Sequence, residues 1–293
     1  MIRNLLLRCL GGPINKEGRQ ALRGPAKSSF RAQSFKVCGG TLSFSCPSAS
    51  PVFEGSEGKC INTVLGKVND LRRFGNNVLA NDDWRELVFF MRHWGFFGRR
   101  FQRAVGETKV SIQVLGKLRD DQSSDLSLFH PRAFEGEIAE FLNDAYGFRF
   151  RQENDPLYQA PVNWETATIG DVNGALFEVH SVDQGRQCDS PMFKLMFPVS
   201  DSSFVQVTII PNVPRDTDRV KYDILPMTDF VFDILRSFEF TLSPENKNSW
   251  ISTKQTCESM ELSRNFAPLK WPIKPGQSDV TSDRFQLVGD KSA

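Results

Sequence analysis

The hydrophobic positions that follow Thr228 change their period within one short stretch. Five of them have helical spacing: Phe230, Val231, Ile234, Leu235 and Phe238. Beyond Ser237 every second residue is apolar, which is the pattern of a half-buried strand. The sequence therefore predicts a helix, capped at its start by Thr228, that passes directly into a short strand near Ser237.

Alternating apolar residues predict two antiparallel strand pairs in the first half of the chain. Residues 34–47 form two short alternating runs around a pair of glycines, which is typical of a β-hairpin. Residues 84–101 and 108–118 are rich in aromatic and β-branched residues, and they predict a longer pair that turns near Gly106. Gly95 and Gly98 indicate a bend or bulge in the first of these two strands.

The stretch from His130 to Gly147 has the clearest helical pattern. Pro131 suits the first helical position. One apolar face contains Phe134, Ile138, Phe141, Leu142 and Ala145. Glu135 and Glu137 are expected to compensate the positive end of the helix dipole, and Gly147 is expected to end the helix in a left-handed conformation.

Four further strands are predicted between Val162 and Ile210. The first two flank a turn that contains Asn173-Gly174, and the last two are joined by residues 198–203. Together they predict a four-stranded antiparallel meander, on which the helix after Thr228 packs.

The order of elements predicts an α+β protein in which α-helices flank an antiparallel sheet. We expect a single domain over residues 34–242. Residues 1–33 are expected to form a basic, partly disordered arm, and residues 243–293 a largely irregular arm with a disordered end. The second arm has three apolar residues that could anchor it on the domain: Phe266, Leu269 and Trp271.

Four stretches of the chain resemble the Mog1/PsbP-type α/β/α sandwich, to which the bacterial DcrB-like proteins belong. They are the start TLSFSCP, the helix Pro131 to Tyr146, the meander Val162 to Ile210, and the junction FDILRSFEF. The resemblance covers residues 34–242. It implies a non-catalytic module that binds a partner.

Charge is distributed unevenly along the chain. Residues 1–36 contain eight basic residues and one acidic residue, Glu17, whereas the net charge of the whole chain is +1, so the remainder is acidic. A nucleic-acid-binding domain would need clustered lysine and arginine on its folded part, and this class is therefore disfavoured. We expect a cytoplasmic protein.

The N-terminus has three possible interpretations. An apolar stripe with adjacent arginines is formed by Ile2, Arg3, Leu5, Leu6 and Arg8. The stripe is too short and too charged for a membrane span or a secretory signal. A frayed tail, an amphipathic anchor in peripheral contact with an anionic membrane, and an organellar transit peptide all fit this composition.

The six cysteines, which lack C-x-x-C spacing, favour free thiols over a zinc site. One disulfide, between Cys38 and Cys46 across the first hairpin, is the exception to check. No motif of a cofactor site occurs, and we expect neither a cofactor nor a metal.

Candidate catalytic residues are few, because the chain has three histidines. His130 precedes a helix and is expected to cap or pack it, and His180 is expected to face solvent. His93 stands between Arg92 and Trp94 and is the strongest candidate for a hydrolytic site. Paired carboxylates occur only where a loop or a helix start explains them.

A basic and aromatic stretch is the main candidate surface for a partner. It contains Arg92, His93, Trp94, Arg99 and Arg100 among several phenylalanines. Arginine and tryptophan are enriched in protein interfaces, and strand alternation would place the rings on one face and the guanidinium groups on the other. A buried aromatic core with a solvated basic face fits the same pattern.

Taken together, the sequence favours a non-enzymatic protein that binds another protein. An adaptor, a chaperone or an immunity protein for a secreted bacterial effector would fit. The alternatives are a hydrolase with an unrecognised site and an accessory factor of a membrane surface or an organelle.

Overall fold

The structure is a computed structural model. It describes residues 14, 16, 18–49, 75–76, 80, 83–98, 104–118, 126–152, 155–183, 186–187, 191–212 and 222–269. The predicted N-terminal membrane contacts, Arg99, Arg100 and Trp271 lie outside these residues, so the corresponding expectations stay predictions.

The largest sheet in the described part of the chain is antiparallel, which confirms the predicted α+β class. Its six long strands are β5 (Trp84–Phe97), β6 (Ala104–Lys117), β9 (Tyr158–Ile169), β10 (Val172–Asp183), β12 (Met192–Pro198) and β13 (Phe204–Asn212). They lie in the order β9-β10-β12-β13-β6-β5. The short strand β4 (Gly75–Asn76) pairs with β5, and β11 (Arg186–Gln187) pairs with β10. Four other short strands form two separate pairs, β1 (Gln20–Ala21) with β14 (Tyr222–Asp223) and β7 (Phe150–Gln152) with β8 (Asp155–Pro156).

The predicted meander is confirmed as strands β9, β10, β12 and β13. The turn between the first two lies at Gly170-Asp171, however, and Asn173-Gly174 belong to β10. Gly170 has φ of +61°, so glycine supplies the left-handed conformation of the turn. The sequence has two glycines four residues apart in this region, and the prediction that the turn contains Asn173-Gly174 was wrong.

The long strand pair β5–β6 is also confirmed, but the predicted position of its turn near Gly106 was wrong. Gly106 pairs with Phe96 inside the ladder, and β6 already begins at Ala104, so Gly106 is not at the turn. The register shifts between Val88 and Phe90 and between Phe96 and Phe97. The second shift lies where the glycines indicated a bulge.

The first hairpin, β2 (Arg31–Val37) and β3 (Gly40–Cys46), forms a three-stranded sheet with β15 (Glu239–Thr241). Its turn residues Cys38 and Gly39 both have positive φ, as a two-residue hairpin turn requires. Cys46 pairs with Arg31 at the opposite end of the hairpin, so the two cysteines do not face each other. Neither cysteine forms a disulfide, both side chains are buried, and burial raises the pKa of Cys38 to about 12.

Helix α2 (Leu225–Leu235) passes into strand β15 as predicted. Ser237 fixes the junction because its hydroxyl donates to the Ile234 carbonyl and accepts from the Ser45 amide. Thr228 is not the cap. The helix begins earlier, with Ile224 at the cap position and Pro226 in the first turn.

Helix α1 (Pro131–Leu142) begins where the sequence predicted, and the His130 ring accepts the Arg132 amide as its cap. Its C-terminal end differs from the prediction. The chain continues into a π-turn over Asn143–Gly147, and Gly147 does not adopt positive φ. The expectation for Glu135 and Glu137 was also wrong, because both lie beyond the first turn of the helix, where their side chains are buried.

The region after Leu242 contains a helix where an irregular arm was predicted. Helix α3 (Pro244–Thr256) is capped by Ser243, whose hydroxyl accepts the Asn246 amide. The Asn246 side chain donates to the carbonyls of Cys38 and Val199, which docks the helix on both sheets. None of the residues of α3 is buried. The helix was missed because its sequence lacks the apolar stripe from which amphipathic helices are predicted.

The described residues form two hydrophobic core clusters. One contains residues of the three-stranded sheet and of α2, and the other contains residues of α1. Val205 belongs to the first cluster and its neighbour Phe204 to the second, because successive residues of a strand point to opposite faces of the sheet. In the described part of the chain, no helix combines the length and apolar character needed to span a membrane.

Candidate functional site

Trp94 does not contribute to an exposed partner surface. Its ring is fully buried and packs edge-on against Phe230 of α2 at 5.1 Å. The indole Nε1 donates to the Ser48 carbonyl at 3.2 Å. The sequence placed Trp94 on the candidate partner surface, where a side chain should be partly exposed, but the ring is buried under α2 and the end of the first hairpin.

Arg92 lies on the same face of β5 as Phe90 and Trp94, which contradicts the predicted separation of rings and guanidinium groups. Its guanidinium group stacks on the Phe90 ring at 4.9 Å. It also donates to three groups of the first hairpin and the residue after it: Gln33 Oε1 at 3.1 Å, Cys46 Sγ at 3.2 Å and Pro47 O at 3.0 Å. Arg92 thus joins the small sheet to the large one.

His93 points to the opposite face of β5, beside Glu107 of β6. Its Nδ1 lies 3.8 Å from Glu107 Oε1, which is beyond hydrogen-bond distance, and Lys109 Nζ lies 2.9 Å from the same oxygen. Burial lowers the pKa of His93, although Glu107 acts in the opposite direction. Nδ1 of His93 and Oε2 of Glu107 are buried without a hydrogen-bond partner among the described residues.

The other two histidines are engaged in the fold. His130 caps α1, as predicted. His180 was expected to face solvent, but its side chain is only 14% exposed, and its Nε2 lies 2.6 Å from Glu178 Oε2. No cluster of three metal-ligating residues occurs in the described ranges.

The edge strand β9 differs between its two halves. Near its start, Pro161 lacks an N–H group and Ala160 accepts the Leu269 amide. Beyond Trp164 the pairing with β10 is regular, and Glu165, Thr166 and Thr168 are exposed.

Two main-chain positions in the second half of β9 point outward. Because the two-residue turn at Gly170-Asp171 closes the hairpin at Ile169, the N–H and C=O groups of Thr166 and Thr168 point away from β10. Among the described residues, none bonds to them from that side. The opposite edge of the sheet differs, since β4 pairs with one end of β5 and Arg23 exchanges two backbone hydrogen bonds with Phe97 at the other.

A groove between α1 and the strands β9–β10 holds the C-terminal segment, which we define as residues 260–269. One residue of this segment, Ser263, is bound on both sides of its backbone. Its carbonyl accepts the Trp164 indole N–H at 2.7 Å. Its amide donates to Glu135 Oε1, and its hydroxyl contacts Glu135 and Arg132.

Four further residues of the C-terminal segment contact the groove. Leu262 is buried in the cluster that contains α1. Phe266 stacks on the Trp164 ring with centroids 4.7 Å apart. The Leu269 amide donates to Ala160, and Asn173 Nδ2 donates to the Met260 carbonyl. A cavity of about 20 Å³ lies beside Leu262 and is also lined by Trp250 and Phe134.

Sequence reasoning found part of this groove. Phe266 and Leu269 were predicted as anchors of the C-terminal region, and both contact the domain as expected. The role of Glu135 was missed because a glutamate near a helix start is ordinarily explained by the helix dipole. The available signal was the position of Glu135 directly beside the apolar face of α1.

Comparisons with known proteins give one match. No family model matches the chain, and no curated protein matches it. One solved structure is similar, the crystal structure of LpqN, which is involved in cell envelope biogenesis of Mycobacterium tuberculosis. It is 14% identical with a TM-score of 0.29, and the match covers 56% of this chain and 82% of that chain. A TM-score this low leaves the function to be argued from the residues of the chain itself.

Proposed function

We propose that this chain is a non-enzymatic module that binds another protein, as an adaptor, a chaperone or an immunity protein does. The observation that carries this proposal is the open half of the edge strand β9. Unpaired main-chain groups on a sheet edge are a template for a strand of another chain. The resemblance to Mog1/PsbP-type proteins implies the same class of function, and we propose their flanked-sheet sandwich as the architecture.

The partner segment adds to the sheet as a strand alongside residues 165–168. Its main chain bonds to the outward N–H and C=O groups of Thr166 and Thr168. The side chains of the partner strand should complement those of β9. Favourable cross-strand neighbours are β-branched residues opposite the two threonines and a basic residue opposite the exposed Glu165. The irregular first half of β9 limits the pairing to this short stretch.

Substitution by proline tests the strand addition. Thr166→Pro removes an N–H group that the native hairpin does not use, so it should leave the melting temperature near that of the wild type and abolish partner binding. Thr166→Val keeps the N–H group and is the matched control. Ala167→Pro, whose N–H group points toward β10, should instead unfold the hairpin.

Peptides selected from a random display library on the wild-type chain are suitable probes for this test. We expect them to lose binding to Thr166→Pro and to slow hydrogen exchange at the Thr166 and Thr168 amides. Selected peptides that bind Thr166→Pro with unchanged affinity would contradict the proposal. Self-association of the wild-type chain through the same amides would identify a second copy as the occupant and would equally contradict it.

A hydrolase is the second candidate, and the position of His93 beside Glu107 is the observation that favours it. The usual general base of hydrolytic sites is a histidine oriented by a carboxylate, so this function requires the 3.8 Å between His93 Nδ1 and Glu107 Oε1 to shorten to a hydrogen bond. If this function holds, the wild-type chain should hydrolyse at least one member of a panel of p-nitrophenyl esters, and His93→Ala should abolish that activity.

A further inference from the structure

We infer that the groove between α1 and the strands β9–β10 is a peptide-binding site, and that the C-terminal segment occupies it in place of an extended segment from a partner protein. This inference deepens the proposed binding function. It concerns a different surface from the open half of β9, so each can fail alone.

The groove recognises a peptide by its backbone. Trp164 binds the carbonyl of Ser263, and Glu135 binds the amide of the same residue. Glu135 is only 3% exposed, and its described contacts come from Arg132 and from Ser263. A buried carboxylate needs such partners, because an unpaired charge in the interior is costly. Whatever segment lies here must therefore offer a donor to Glu135.

Side-chain positions in the groove define the class of partner. The position of Leu262 takes an apolar residue, and the cavity beside it leaves room for a side chain slightly larger than leucine. The position of Ser263 takes a small hydroxyl residue within reach of Arg132 and Glu135. The position of Phe266 takes an aromatic ring that stacks on Trp164. The recognised pattern is apolar, serine or threonine, two residues of any type, then aromatic.

The C-terminal segment is held less firmly than the elements around it. It forms no regular secondary structure, and Leu262 is the one fully buried residue between positions 260 and 269. Segments with few buried apolar contacts open with low local free energy. Because the segment is tethered, however, it competes with a free peptide at an effective concentration of about 1 mM, so a partner must displace it.

A peptide with the sequence of residues 258–270, labelled and added in trans, tests this inference. The full-length double variant Leu262→Ala/Phe266→Ala weakens the C-terminal segment and leaves the groove residues intact. We expect it to bind the wild-type peptide at least about tenfold more tightly than the wild-type chain does, measured by fluorescence anisotropy. A peptide that carries the same two alanines is the control and should not bind.

The contribution of the groove is tested in the same background. Trp164→Phe keeps an aromatic ring under Phe266 and removes the N–H donor, so it should raise the dissociation constant of the wild-type peptide by about tenfold. Equal binding of the wild-type peptide to the wild-type chain and to the double variant would overturn the inference. So would a concentration-dependent dimer of the wild-type chain that exchanges this segment, because the occupant would then be a second copy.

Hydrogen exchange of the wild-type chain keeps the inference testable if the double variant does not fold. The amides of Ser263 and Leu269 should exchange through local opening, much faster than amides in the centre of β10. Exchange of these two amides only through global unfolding would overturn the inference, because a segment that opens only when the domain unfolds cannot be displaced by a partner. Thr166→Pro added to the double variant should leave its affinity for the peptide unchanged. Peptide binding in the groove is thereby distinguished from strand addition at β9.

Discussion

The Nζ atom of Lys194 donates a hydrogen bond of 2.8 Å to Oγ1 of Thr208 in the middle of the large sheet. The lysine side chain is almost completely buried, and its Nζ lies 5.8 Å from the centroid of the Tyr146 ring. Thr208 Oγ1 also accepts Gln206 Nε2 at 3.2 Å. Burial lowers the pKa of Lys194 to about 7, and the charge of Glu86 opposes this change.

Lys194→Met should make the protein more stable at neutral pH. The native pKa of about 7 lies below the ordinary value of 10.5, so between these values the unfolded chain binds a proton that the native chain releases. The wild-type free energy of unfolding should therefore rise as pH increases from about 7 towards 10, by up to about 1.4 kcal/mol for each unit of pKa difference. Below pH 7 the lysine is protonated in both the native and the unfolded chain, and the full free-energy cost of burying its charge remains.

Urea unfolding at pH 7 and pH 9.5 measures this effect. The stabilising effect of Lys194→Met should be largest at pH 7 and should shrink at the higher pH, since methionine cannot titrate. Lys247→Met, at an exposed position of α3, is the control and should change stability equally little at both values. An advantage of Lys194→Met that grows with pH would contradict the explanation.

Phe141→Ala should destabilise the protein strongly. The Phe141 ring is fully buried on α1 and packs edge-on against Trp84 at 5.1 Å. Removing such a ring loses its transfer free energy and leaves a cavity, which costs about 3–5 kcal/mol. Phe148→Ala, at a side chain that is 50% exposed, should stay within about 0.5 kcal/mol of the wild type in the same urea titration.

Two glycines offer a matched pair of alanine substitutions with opposite expected signs. At Gly170 a Cβ atom would lie 2.3 Å from the Phe240 carbonyl oxygen, and φ is +61°. Gly170→Ala should therefore destabilise the protein by more than about 1 kcal/mol. At Gly136, inside α1, a Cβ would meet no atom within 4 Å, and Gly136→Ala should stabilise by about 0.5–1 kcal/mol. Equal effects in thermal unfolding would contradict the placement of the turn.

How much of the fold the sequence predicted depends on how local each determinant is. The switch from helix to strand at Ser237 was readable because apolar spacing records it directly. The meander and the start of α1 were readable for the same reason. Turn positions were not, because Gly170 and Gly174 look alike in sequence. Both lie close to the main chain of another segment, and the positive φ of Gly170 is what distinguishes them.

The candidate sites depended even more on distant contacts. Trp94 has the composition of an interface residue, but its burial is decided by α2, more than 130 residues away in sequence. Glu135 is likewise paired by Ser263. Long-range partners of single polar residues leave no periodic pattern in a sequence. The polar contacts of the groove could therefore not be predicted, whereas its apolar anchors Phe266 and Leu269 could.

Arg92→Ala should lower the free energy of unfolding, contrary to the expectation for an exposed interface residue. Its three hydrogen bonds to Gln33, Cys46 and Pro47 join the two sheets, and losing hydrogen bonds to a charged group costs about 1.5–3 kcal/mol. Arg92→Lys should recover only part of this loss, because an ammonium group cannot reproduce the planar fork of donors. Arg236→Ala, at an exposed position after α2, is the control and should change the melting temperature little. If Arg92→Ala has the melting temperature of the wild type but no longer binds the selected peptides, this explanation is contradicted, and Arg92 belongs to a partner surface.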